Sequence, residues 1–336
     1  MRRLLCVLML LAGVAMCSYA GEEKPEKNEL DVPGVIFGHL GDSYEWHIAD
    51  GVVIHLPCIV YDIDKGLIVF SSSKLENDGG YAGYHLDAVS GKIVDENGER
   101  PFDISITKNV LQLFIVCALL CAVVIGLTVW YKRNGYEKAP GGFVGAMEAV
   151  FDFVDKDIAK ANIGHGYERF SPYLGTVFLF ILTCNLLGLI PVFPGGANLT
   201  GNIAVTMTLS VATWIAVNFF APKKYFKEIL WPDVPVFLKA PLPIMPAIEF
   251  IGVFTKPFSL TIRLFANIFA GHAIILSLTC IIFIAWQSGA ALGLPMTVVS
   301  VLFCMFMNCL ELLVAFVQAY VFTLLSASFI GLAQNE

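Results

Sequence analysis

The chain has 336 residues, of which 57% are hydrophobic and only 15% charged, with a formal net charge of −7. A soluble fold runs nearer about 45–50% apolar and about 25% charged, so the surplus needs lipid to face and a wholly soluble protein is excluded. The Lys and Arg residues sit in ones and twos beside apolar runs, which excludes the dense basic patch of a nucleic-acid surface.

Met1-Arg2-Arg3, the apolar run to Met16 and the small residues up to Ala20 have the three regions of a secretory signal, so residues 1–20 are expected to be removed after Ala20. An uncleaved anchor is the alternative, but an apolar core of about 13 residues is short for a span that needs about 20. Lipid attachment at Cys17 fits poorly behind Met16. Residues 21–31 are charged and aperiodic and read as a flexible tether.

From 32 to about 105, the β-rich runs Val52–His55, Ile59–Tyr61, Leu67–Phe70 and Lys92–Val94 alternate with turn signals such as Gly79-Gly80 and Asn97-Gly98. They predict a small exported, extramembrane β-rich module within 21–105. Its histidines, His39, His47, His55 and His85, could line an ion vestibule, although ordinary surface positions account for them as well. Of the nine cysteines, Cys6 and Cys17 belong to the signal, Cys58 stands alone in the module, and the others lie in or beside apolar segments. Neither a disulfide framework nor a metal-ligand pattern is offered, and no cofactor motif is present.

Residues 106–336 read as a membrane domain. The first span, Val110–Tyr131, is closed by Lys132-Arg133, and cations there favour a cytoplasmic end. Residues 143–161 set Phe143, Met147, Val150, Phe151 and Val154 against an acidic and basic face, the pattern of a helix lying at the membrane surface. Phe170–Val192 and Ile203–Ala221 are the second and third spans; Lys223, Lys224 and Lys227 follow the third, which leaves the 194–198 loop external.

Pro232, Pro235, Pro241, Pro243 and Pro246, with Pro222 nearby, break any helix in 231–246. Two long segments follow, 247–286 and 295–332, separated by the Gly289–Pro295 turn, and their excess length implies tilt or kinking. The expected fold is therefore an all-α polytopic membrane protein of about five crossings with two long tilted C-terminal helices, preceded by a small exported β-rich segment. The N-terminus is expected in the periplasm and Glu336 in the cytoplasm, across a bacterial inner membrane.

Ionisable residues inside apolar segments carry the functional signal. Arg263 sits in Phe258–His272, where a guanidinium costs about 2.5–3.5 kcal/mol on insertion scales. Snorkelling to an interface is the alternative, but apolar residues continue downstream to Ala285. On an ideal helix Asn267 lies about 40° from Arg263, whereas His272 is about 180° round. Glu311 and Gln318 share a face of the last helix, and Glu249 falls nominally on the face of Arg263, with Pro257 between them leaving the phase open.

A hydrogen-bonded core role for His272 and a structural ion pair for Glu311 are the plain alternatives. Together with Arg263 these groups read as a polar route through lipid. A guanidinium is protonated at every working pH, so it cannot relay protons, yet it would drive a passing carboxylate to ionise. His272 and Glu311 can exchange protons and are candidate relays.

The run Lys256-Pro257-Phe258-Ser259-Leu260, then Arg263-Leu264-Phe265-Ala266-Asn267 and Ala270-Gly271, resembles the signature of subunit a of F-type ATP synthases. Asn185–Pro191, Thr200–Thr206 and Gln318–Phe322 are similar to that family's second-span, third-span and last-helix motifs, so the likeness runs from about 107 to 332. The resemblance implies that Arg263 is the Arg facing the rotor ring, with Asn267 and Gln318 beside it and Glu249, His272 and Glu311 in two half-channels. It implies a non-catalytic stator subunit for proton translocation, partnered by acidic rotor-ring subunits, peripheral-stalk b subunits, lipid and, indirectly, the catalytic sector.

Some bacterial members of that family hold Glu where this chain has His272 and His where it has Glu311. The exchange implies that the two positions act together. The rival readings lack their marks: a self-contained secondary transporter should show internal repeats, and an intramembrane protease should show His-Glu-x-x-His or paired Asp. No phosphate-cradling Gly-x-x-x-x-Gly-Lys loop is present, so nucleotide chemistry belongs to another chain. Exchangeable His272 favours the proton over Na⁺ as the coupling ion.

Overall fold

A computed structural model describes residues 32–49, 52–62, 66–77, 80–87, 91–135, 137, 139–190, 195–230 and 244–335. The expected signal, the tether, and residues 231–243 of the proline-rich stretch lie outside the described residues. Pro246 falls in the first turn of the helix Ile244–Gln287, where no intrahelical N–H bond is lost. The chain divides into two compact units, one of residues 1–39 and 272–309, the other of residues 40–271 and 310–336.

The larger unit begins with the expected β-rich module. Strands β1 (Glu45–Ala49) and β2 (Val52–His55) pair antiparallel, β3 (Pro57–Asp62) pairs with both β4 (Gly66–Ser71) and β7 (Phe102–Asp103), and β5 (Tyr84–Leu86) pairs with β6 (Ile93–Asp95). Alternation along β3 sends Cys58 and Val60 inward, where they meet Tyr44, Phe70, Leu75, Tyr84 and Ile93. The tyrosines bring hydroxyls into this core and satisfy them: Tyr84 donates to Asp62 Oδ2 at 2.6 Å, and Tyr44 donates to Asp103.

The four expected strands are present, Val52–His55 with its expected bounds and the other three with ends shifted by a residue or two. The short helix Ser73–Asn77 and strands β1, β5 and β7 add to them without a clear signal in the sequence, as does the helix Val32–Leu40, nearly all of it in the smaller unit. Strand β7 exists only through its pairing with β3, and two residues carry no periodicity of their own.

The module is bonded to the first turn of the first span. Lys108 N donates to Ser43 O at 2.9 Å and Asn109 N to Asp42 Oδ1 at 3.2 Å, while Thr107 caps the helix by accepting from Val110 N. A carboxylate at this end also complements the helix dipole.

Among the described residues five helices are long and apolar enough to cross a membrane: Lys108–Asn134, Ser171–Leu189, Ile203–Phe220, Ile248–Gln287 within the longer helix, and Ala290–Gln334. The second ends three residues before the expected Val192. Pro191 forces the preceding Ile190 into the extended region, and the helix stops there. Asn202 opens the third span by accepting from Ala204 N at 3.0 Å.

The segment expected at the membrane surface is helical over Gly142–Asp152, widens to a π-helix over Phe153–Lys160 and ends at Ala161–Ile163. Its apolar edge is only half as free as expected. Phe143 is open, but Val154, Ile158 and Ile163 are buried in one core with Leu174 and Phe178 of the second span and Phe322 and Ile330 of the last helix. Glycine permits this closeness: a Cβ on Gly331 would lie 2.1 Å from the carbonyl oxygen of Asn162.

Within the smaller unit residues 272–309 form a helical hairpin. Gly289 reverses the chain at φ +113, a backbone conformation suited to glycine, and the final helix restarts at Ala290 rather than at the expected Pro295, which lies inside it. Trp286 Nε1 donates to Thr297 Oγ1 at 3.0 Å across the turn.

Burial, helped by the nearby Asp103 carboxylate, pushes the Cys58 thiol up to about 12. Since the thiolate is the nucleophile, Cys58 should resist maleimide at neutral pH in the folded chain and react after denaturation, as read by peptide mass mapping. Fast labelling of the native chain would show that this core is open.

Candidate functional site

The long helix Ile244–Gln287 has two sides around Arg263. Leu260, Leu264 and Ile268, spaced by one turn, are buried at 1%, 0% and 4% exposure, and the first two join the core made with the second span and the last helix. Ser259, Arg263, Ala266, Asn267 and Ala270 lie on the exposed side. The expectation that Arg263 and Asn267 share a face is met. Among the described residues Arg263 makes no ion pair.

The residues flanking Arg263 on this side are small, so a neighbouring helix backbone can approach it closely. Glu249 is also exposed, one helical stretch earlier. Pro257 lies inside the helix between them.

Glu311 and Gln318 behave in the opposite way. Both point into protein, at 4% and 5% exposure, on a buried stripe of the last helix that also carries Ala315 and Phe322. Glu311 packs on backbone: a Cβ added at Gly271 would lie 2.8 Å from its Oε1. His272, the next residue on the long helix, belongs to the other compact unit and is half-buried.

Between Glu311 and Gln318 the second span reaches the last helix through Asn185. Its Nδ2 donates to Ala315 O at 3.2 Å, while its Oδ1 accepts from Thr200 Oγ1 at 2.7 Å. The motif around Asn185 is visible in the sequence, but this bridging role is not, because pairing across 130 positions leaves no local trace.

A second set of hydroxyls joins the helices. Thr213 bonds Tyr173 at 2.9 Å and Ser326 at 3.3 Å, and Ser210 bonds Thr261 of the long helix. Such pairs hold spans together where lipid supplies no hydrophobic drive. Lys256 lies beside them in a pocket with Trp214, Asn218 and Tyr225, its Nζ 5.5 Å from the centre of the Phe329 ring. In the first span Gln112 is fully buried, and neither atom of its amide has a hydrogen-bond partner among the described residues.

The arrangement sets one permanent cation on an outward face of the long helix and a buried carboxylate and a buried amide on the last helix. No cluster of His, Cys, Asp or Glu suited to a metal occurs among the described residues.

The model of the ATP synthase A chain family matches residues 112–331, and that of a domain of unknown function (DUF8433) matches residues 35–112. This chain belongs to the ATP synthase A chain family. It is 51% identical over 236 residues to ATP synthase subunit a 2 of Chlorobaculum tepidum, covering 69% of this chain and 64% of that one. It is 50% identical over 237 residues to ATP synthase subunit a of Chlorobium phaeobacteroides, covering 69% and 66%, and 40% identical over 234 residues to that of Anaeromyxobacter dehalogenans, covering 68% and 58%. The matches thus span less than two thirds of the length of these relatives. With five apolar helices, this family member is a multi-pass membrane protein.

Two glycine substitutions separate packing from site geometry. Gly331→Ala meets a rigid carbonyl and should lower the yield of folded protein severalfold, whereas Gly271→Ala meets the movable end of Glu311 and should leave the yield near normal while displacing the carboxylate. Size-exclusion profiles of the two purified variants check this; equal yields would contradict the tight Asn162–Gly331 contact.

Proposed function

We propose that this chain is the ion-conducting stator subunit of the membrane sector of a bacterial F-type rotary ATP synthase, and that it passes protons by way of an acidic rotor ring. The observation that carries the reading is Arg263 standing with Asn267 on an outward, small-residue face of an apolar helix. A charge in that position calls for an acidic partner on another chain, because leaving it against lipid is costly.

In this reading a carboxylate brought past Arg263 is held ionised by the adjacent positive charge. Away from Arg263, facing lipid, the same carboxylate must be protonated. Protons therefore enter and leave only through two water-reachable half-paths on either side of the guanidinium, and the ring has to turn for transfer to occur. Buried Glu311 and half-buried His272 serve as proton-exchanging groups of these paths, with Glu249 a further group of them, and Gln318 and Asn267 serve as polar neighbours of Arg263.

Moving one charge through 100 mV gains about 2.3 kcal/mol, so several steps are needed for each ATP made on the catalytic sector. The subunit holds no catalytic site and no nucleotide. The positive residues that follow the first and third spans favour the cytoplasm for those ends, with the β-rich module outside and the peripheral-stalk subunits among the partners.

Arg263→Ala tests the central step. In reconstituted membranes ATP-driven proton pumping should be lost with the complex still assembled; near-normal pumping would remove this mechanism and bring forward a self-contained ion-coupled transporter. The exchange of acid and imidazole gives a second check. His272→Glu combined with Glu311→His should pump better than either single variant, and an inactive double variant beside two well-tolerated single ones would show that the positions do not work as a pair.

A further inference from the structure

We propose that the outward face of the β4-β3-β7 sheet is a lipid-binding surface, seated on the membrane leaflet at which the first span begins. Register decides which side chains share this face. Tyr61 pairs with both Leu67 and Phe102, and Ile59 pairs with Val69. Ile104 N donates to Ile59 O, so the alternation continues past the end of β7 and brings the Ile104 side chain to the same side.

The other side of the sheet holds buried Cys58, Val60 and Phe70. The outward side is the reverse of an ordinary solvated sheet face. Phe102 is 69% exposed and Leu67 63%, Tyr61, Val69 and Ile104 are exposed as well, and no charged side chain stands among them. Antiparallel sheets with one wet face normally alternate apolar inside with polar outside. A contiguous apolar patch on a short sheet in water is instead a site for association.

Three observations select lipid as the occupant. The first is continuity with a surface that already meets lipid: the first span has the highest hydropathy of the five candidate spans and is 11% buried within the protein. The second is attachment. The module is hydrogen-bonded to the first turn of that span through Ser43 and Asp42, and Phe102 lies six residues before Lys108, at most about 20 Å of extended chain. The third is chemistry, since the face combines aliphatic side chains with Tyr61 and Phe102, and aromatic side chains, Tyr above all, favour the membrane interface.

Tryptophan substitution with depth-selective quenching tests this in the full chain reconstituted into phosphatidylcholine vesicles. F102W and L67W sit on different strands, so a folding failure of one leaves the other, and E96W on the exposed turn before β7 is the aqueous reference. The fluorescence that F102W and L67W add to that of the parent chain should fall by about half in lipid brominated near the headgroup, for a face lying about 5–10 Å into the interface. It should fall less in lipid brominated at the chain end and resist aqueous iodide, with E96W showing the reverse. Iodide quenching of F102W and L67W equal to that of E96W would place the face in water and overturn the proposal. Protection from both quenchers would overturn it too, by showing the face covered by a second copy of the chain. These readouts do not depend on proton pumping.

Discussion

A guanidinium on an apolar helix can neither release its proton nor be left facing lipid without a large cost. That constraint organises the membrane domain. The long helix turns Leu260, Leu264 and Ile268 into the protein and so presents Arg263 and Asn267 outward. Among its described residues the chain does not neutralise this charge. The small residues flanking it, Ser259, Ala266 and Ala270, leave room for a neighbouring helix.

The other polar groups obey the opposite rule. Glu311, Gln318, Asn185, Thr213 and Ser326 are turned inward; Thr213 bonds Ser326, and Asn185 bonds the carbonyl of Ala315, across helices. Helix association in lipid has no hydrophobic term to draw on, so hydroxyl and amide pairs together with close backbone approach take its place. Buried glycines and buried hydroxyls are thus two parts of one packing solution. One lets the backbones touch, and the other keeps polar atoms from being stranded.

Much of this is legible in the residues alone. The spans are readable because a run of about twenty apolar positions matches the thickness of a bilayer core, and the shared face of Arg263 and Asn267 follows from helical geometry. The β-rich character of 52–94 is readable from short runs between turn signals. What escapes are features created by distant pairing: strand β7, which exists only against β3, and the Asn185 bridge to Ala315. The half-burial of the 142–163 segment is hidden for the same reason, since an apolar edge does not say whether lipid or protein will cover it. The end of the second span differs from expectation through a local rule, the effect of Pro191 on Ile190, that hydropathy alone does not carry.

The contact of Gly331 with the carbonyl of Asn162 joins positions 169 apart in the chain. Everything between them must be made and inserted before the two can meet, so the final helix acts as a keystone set last. Until it arrives, Thr213 and the inner wall of the second span have no cover on that side. A ribosome stalled shortly before residue 311 would therefore leave behind a membrane protein whose interior is open, a species that cellular quality control can distinguish by its stranded polar atoms.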